Sequence, residues 1–177
     1  MKHTFFSFFR VYLFVPLIII SLFVATNNTT SSVFNTIYKK VDLAQVKCLA
    51  TNIFHEAKKE PILGQAAVAR VVVNRVNHGF ASTPCKVIHQ VTYVDKGLDE
   101  KVKVCQFSWV CEGKGKVNER DPKYQRAFQI AYEVLALDKY KEVIPRTTLF
   151  FHNLTVDPMW PYKQVKQIGN HIFYSKK

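Results

Sequence analysis

No acidic side chain occurs before Asp42, and of the 25 Lys and Arg residues only Lys2 and Arg10 precede Lys39. No period of roughly 20–50 residues recurs, which excludes a solenoid or other repeat array. No C-x₂-C pair is present, the closest cysteines being Cys105 and Cys111, so a zinc-finger type site is disfavoured. His55-Glu56 opens like H-E-x-x-H, but Lys59 stands where the second histidine would be, removing the simplest zinc-peptidase reading. G-x-S-x-G is missing around Ser108, and there is no phosphate-binding loop. Nor does any basic stripe interleaved with aromatics point to nucleic acid as a partner.

What is present is an apolar, basic chain. Its 177 residues are 48% hydrophobic and 14% aromatic, which excludes disorder of the whole. The net charge is +12, and after residue 38, 23 basic against 13 acidic residues leave +10. Such an excess predicts an acidic partner: nucleic acid, anionic lipid or an acidic wall polymer.

Residues 1–25 read as an export element. Lys2 and Arg10 precede VYLFVPLIIISLFVA, which carries no charge. Its length suits a cleaved signal peptide; counting Thr4–Phe9 as well gives the reach of an N-terminal membrane anchor, and both readings stand. Either way the positive-inside bias places the remainder outside the cytoplasm. A polar linker follows over residues 26–37, and the folded domain is expected over 38–177. In an oxidising compartment Cys48, Cys85, Cys105 and Cys111 favour two disulfides over a metal site, with three pairings open.

Within that domain, Asp42 and Gln45 resemble a capping box. Apolar residues then recur at Leu43, Val46, Leu49, Ala50, Ile53 and Ala57, predicting a helix over 43–59 that Glu60-Pro61 ends. ILGQAAVARVVVNRVN predicts a second, buried helix stopped at His78-Gly79. KVKVCQFSWV from Lys101 predicts a strand, and Asp121-Pro122 starts a further helix. TTLFFH and KQIGNHIFYS predict strands, the latter a hairpin closed by Gly169-Asn170. Helices first and short antiparallel strands later predict a compact single α+β domain.

Glu56 is the leading candidate for chemistry. It falls roughly 90° from the centre of the first helix's apolar stripe, where partial desolvation favours the protonated form a general acid needs. The plain alternative is a boundary glutamate paired with Lys47 or Lys59. Glu60 would share its face if the helix ran on, but Pro61 makes a structural role the better reading. His55 points to the opposite side. Gln106, Ser108 and Trp109 combine amide, hydroxyl and indole on an exposed or cleft-facing strand, a set suited to sugar rings, the plain alternative being a buried core strand; His152 and His171 lie in strands that could line a cleft.

Residues 48–76, CLATNIFHEAKKEPILGQAAVARVVVNRV, resemble the opening signature of the SleB-type cell wall hydrolases, the spore cortex-lytic enzymes and their relatives. Pro84-Cys85, the Cys105–Trp109 block with Cys111, Phe151-His152, Pro158-x-Trp160 and IGNHIFY at 168–174 follow in the same order. The resemblance implies a lysozyme- or lytic-transglycosylase-like fold and cleavage of the peptidoglycan glycan strand at N-acetylmuramic acid, in the manner of a lytic transglycosylase or a muramidase, with Glu56 as the catalytic acid. It implies cleft or support roles for Glu60, Gln65, Gln106, Ser108, Trp109, His152 and His171, and no metal or cofactor. Lys58-Lys59 replaces the family's Arg-Gly, and Phe151 its usual Tyr, so a hydroxyl at that position is lost. The expected partners are peptidoglycan and, through the N-terminal segment, a membrane. No separate wall-binding module fits in this length, so the basic surface is expected to help targeting. Two other classes compete: an N-acetylmuramoyl-L-alanine amidase, normally zinc-dependent, and a non-catalytic envelope protein that binds the wall.

Overall fold

The computed structural model describes residues 41–95, 97 and 101–176. The export element and linker expected over residues 1–37, and the start of the domain at 38, lie outside the described residues. Among the described residues no helix is long and apolar enough to cross a membrane.

Three helices make the main core. Helix α1 (Leu43–Ala57) begins where the Asp42 carboxylate accepts from the Ala44 amide at 2.8 Å. Gln45 does not complete the expected box, because its side-chain oxygen accepts from the Cys85 amide at 3.0 Å instead. The helix stops two residues earlier than expected, with a turn from Glu60 N–H to Ala57 C=O ahead of Pro61. Helix α2 (Ile62–Asn77) is buried along most of its length. After a short helix α3 (Pro84–Ile88), a hairpin β1 (Val91–Asp95) and β2 (Lys101–Cys105), and the single turn α4 (Ser108–Cys111), helix α5 (Pro122–Ala136) lies against both α1 and α2. Asp121 caps α5 through Lys123 N–H, with Pro122 in the first turn. Val46, Leu49, Ile53, Val72, Tyr124, Ile130 and Val134 close this core.

A three-stranded antiparallel sheet, order β3 (Thr148–Asn153), β5 (His171–Ser175), β4 (Lys163–Ile168), packs against α2 through Val68, Val71 and Phe173. Polar side chains on α2 tie the helix to this sheet. Asn74 donates to the carbonyls of Pro145 (3.1 Å) and Thr148 (2.9 Å), and Arg75 Nε donates to Leu149 C=O (2.7 Å). Gly169-Asn170 closes the β4–β5 hairpin as expected. Gly169 has φ 57°, and a Cβ there would collide with the Glu60 carboxylate, so glycine is required on both counts.

Two disulfides staple the domain, Cys48–Cys85 between α1 and α3, and Cys105–Cys111. The second corrects the strand expected over 101–110. Pairing ends at Cys105, and the chain turns within the six-residue span that the disulfide closes. Gln106 to Trp109 therefore leave the strand and enter α4, and Phe107 and Trp109 both reach the core. Strict alternation would have sent neighbours such as Ser108 and Trp109 to opposite sheet faces; the helical turn does it by rotation. Helix α3 and strand β1 had no counterpart in the sequence reading.

Candidate active site

A cavity of about 350 Å³ is lined by Glu56 from α1, Arg75 from α2, Gln106, Phe107 and Ser108 from the β2–α4 turn, Phe150, Phe151 and His152 from β3, and Val156, Pro158 and Trp160 beyond it. Four of the expected site residues meet here: Glu56, Gln106, Ser108 and His152. Each element has a reason to present its residue. Glu56 sits at the edge of the α1 apolar stripe and is only part exposed. The Cys105–Cys111 ring holds Gln106 and Ser108 at the rim. On β3, Phe150 and His152 are two apart and share a face, each against the Trp160 ring, at 5.9 and 5.5 Å between centroids.

Burial pushes the Glu56 carboxyl up to about 7; the negative charge of Glu112 adds to the rise, and the positive charge of Arg75 opposes it. Near neutral pH this carboxyl is therefore divided between its acid and base forms. Glu112 is held below the usual carboxylate range by a hydrogen bond and ion pair with Lys114 and by the Ser108 hydroxyl, so it stays anionic outside the cavity lining. His152 Nδ1 lies 2.9 Å from the Asn153 carbonyl, which requires a proton on that nitrogen. His152 Nε2 lies 2.8 Å from the Tyr174 hydroxyl oxygen, within hydrogen-bond distance, and the two rings stack.

Other expected residues stand elsewhere. Glu60 is buried, and its carboxylate accepts from Asn170 N–H at 2.9 Å and Asn170 Nδ2 at 3.1 Å, while Gln65 Nε2 donates to Glu60 C=O at 2.9 Å. This pair clamps the β4–β5 hairpin to the α1–α2 turn. His171 is buried behind the cavity wall, edge-on to Phe151 at 5.2 Å, and burial pulls its pKa down. Trp109, expected on a cleft-facing strand, is 5% exposed. Its indole N–H donates to Asn52 Oδ1 at 3.0 Å, and its ring stacks on His55, so it braces α4 against the opposite side of α1. It also borders a second hollow, of about 460 Å³, with Lys47, Thr51, His89 and Tyr124.

Arg75 escaped the sequence reading. It lies inside the apolar run VVVNRV, where a charged residue on an otherwise buried helix is itself the signal. Phe150 and Val156 were also missed, and Trp160 was noticed only as part of a motif. Among the described residues no three His, Cys, Asp or Glu side chains gather as a metal-binding group.

This arrangement of helices on a small antiparallel sheet is similar to the fold of the SleB catalytic domains. The catalytic domain of the Bacillus cereus SleB protein superposes with a TM-score of 0.52 at 23% identity, covering 77% of this chain and 94% of that one. The catalytic domain of the germination-specific lytic transglycosylase SleB from Bacillus anthracis gives a TM-score of 0.53 at 23% identity, covering 77% and 98%. The chain belongs to the cell wall hydrolase family, whose model matches residues 59–174. That match takes in every expected support residue and starts just after Glu56. No curated protein matches the chain.

Proposed function

We propose that this cell wall hydrolase cleaves the glycan strand of peptidoglycan at N-acetylmuramic acid, with Glu56 acting first as general acid and then as base. The observation that carries the reading is a carboxyl raised to about 7 inside a cavity walled by Phe107, Phe150 and Trp160 and edged by Gln106, Ser108 and His152. Aromatic faces suit the apolar faces of sugar rings, and the polar edge suits their hydroxyl and acetamido groups. Protonated Glu56 gives its proton to the glycosidic oxygen as the C1–O bond breaks and positive charge develops on the ring. The carboxylate so formed takes a proton from the sugar's own 6-hydroxyl as that oxygen bonds to C1, leaving a 1,6-anhydro end.

The anhydro route is favoured over hydrolysis because no second carboxylate lines the cavity among the described residues. Glu60, the acid nearest in sequence, is committed to Asn170. Residues 1–25 export the domain to the wall side of the cytoplasmic membrane, as a cleaved signal or as an anchor. The test is digestion of purified peptidoglycan, with products weighed by mass spectrometry, alongside Glu56→Gln. Products lighter by one water than hydrolysed muropeptides, and a loss of about 10²–10⁴-fold in rate for the variant, are expected. Free stem peptides released in a chelator-sensitive way, with Glu56→Gln still active, would assign an amidase instead. Wall binding without released products would assign a binding protein.

A further inference from the structure

Arg75 is a buried cation with no anion beside it. It is 3% exposed, and among the described residues no carboxylate lies within ion-pair distance of it. Its orientation is nonetheless fully determined. Nε donates to Leu149 C=O at 2.7 Å, and the Gln106 amide, its oxygen turned inward, accepts from Nη1 at 2.9 Å and Nη2 at 3.3 Å. Phe80, Phe107 and Phe150 surround the guanidinium at 5.5–5.8 Å from their ring centres. Burial lowers its pKa only to about 10, so the charge persists at neutral pH. A desolvated, unpaired charge is unfavourable unless an opposite charge forms near it. The cavity that Arg75 lines contains one group able to become that charge, Glu56.

Resting on the glycan-cleaving reading above, we infer that Arg75 is a positioning charge for Glu56, aimed by Gln106, that stabilises the carboxylate formed when Glu56 protonates the leaving oxygen. No new covalent step is involved. The proton passes from Glu56 to the glycosidic oxygen and returns from the 6-hydroxyl, and Arg75 acts through space on the interval between. The other charged or titratable groups around Glu56 are Glu112 with its partner Lys114, past α4, and His152 on β3. Of these, Glu112 works against the carboxylate, and Arg75 is the group that works for it.

The experiment uses the full chain with soluble, uncrosslinked glycan chains, comparing wild type, Arg75→Gln, Arg75→Lys and Gln106→Ala across pH. Arg75→Gln should lower kcat about 100-fold with KM little changed, and move the alkaline limb upward by about one pH unit. Arg75→Lys, which retains the charge, should recover at least about tenfold of the loss. An unmoved limb, an effect confined to KM, or a lysine variant no better than glutamine overturns the inference. If Arg75→Gln does not fold, Gln106→Ala decides: a lower kcat with an upward-shifted limb supports it, and an unshifted limb overturns it. Carboxyl ¹³C NMR of Glu56 without substrate separates the two levels of the argument. A midpoint that rises in the variants while no glycan is cut leaves the coupling standing and sinks the proposed reaction. Cleavage with an unmoved midpoint does the reverse.

Discussion

The raised Glu56 carboxyl makes a prediction about stability that needs no substrate. The fold raises this carboxyl from 4.5, the ordinary glutamate value, to about 7. At about 1.4 kcal/mol per unit, that is about 3 kcal/mol, an upper figure because the side chain is not fully enclosed. The sign follows from proton counting. Between the two values the folded protein holds a proton on Glu56 that the unfolded chain has released, so stability falls as pH rises through this window. The contribution is fully present below about 4.5 and is lost once pH exceeds about 7. Glu56→Gln, neutral at every pH, should match wild type near pH 4 and exceed it at pH 8 by up to about 3 kcal/mol. For a domain of this size that is about 10 °C in Tm. Circular-dichroism melts of both proteins from pH 4 to 8.5 check it. Parallel Tm profiles for the two proteins would refute the idea that Glu56 sits in a desolvating site, and with it the basis for an acid role at neutral pH.

Two further outcomes are expected. Glu60→Ala removes two hydrogen bonds to a charged acceptor and should cost about 2–4 kcal/mol in urea unfolding; a loss below about 0.5 kcal/mol would show that the clamp on Asn170 is dispensable. With +10 on the residues after 38, lysis of purified walls should weaken several-fold between about 0.05 and 0.5 M salt, as screening shortens the reach of that charge. A flat response would remove charge as the means of wall attraction.

Where the sequence spoke plainly, one local signal matched one local structure. The α1 stripe from Leu43 to Ala57, the Asp121-Pro122 start of α5 and the Gly169-Asn170 hairpin are set by periodicity, capping and positive φ, all short-range. Glu56 was legible for the same reason, since helical spacing alone puts it at a stripe's edge. Trp109 was misplaced because β-rich composition continues past Cys105, whereas the bond to Cys111 imposes the turn. Arg75 left a trace as a charge in an apolar run, but the partners that orient it, a strand carbonyl more than 70 residues away and Gln106, are not local. Glu60 was expected to be structural because of Pro61, but its hairpin partner, Asn170, lies too far along the chain for local spacing to name it.

The Cys105–Cys111 bond ties the shape of the cavity to the redox state of its surroundings. Gln106 and Ser108, and through Gln106 the aim of Arg75, sit inside the small ring that this bond closes. Thiols in a reducing cytosol leave the ring open. A chain with these cysteines reduced lacks the brace on one bank of its cavity. On the proposed export route, the change from reducing to oxidising surroundings is also the step that closes this rim.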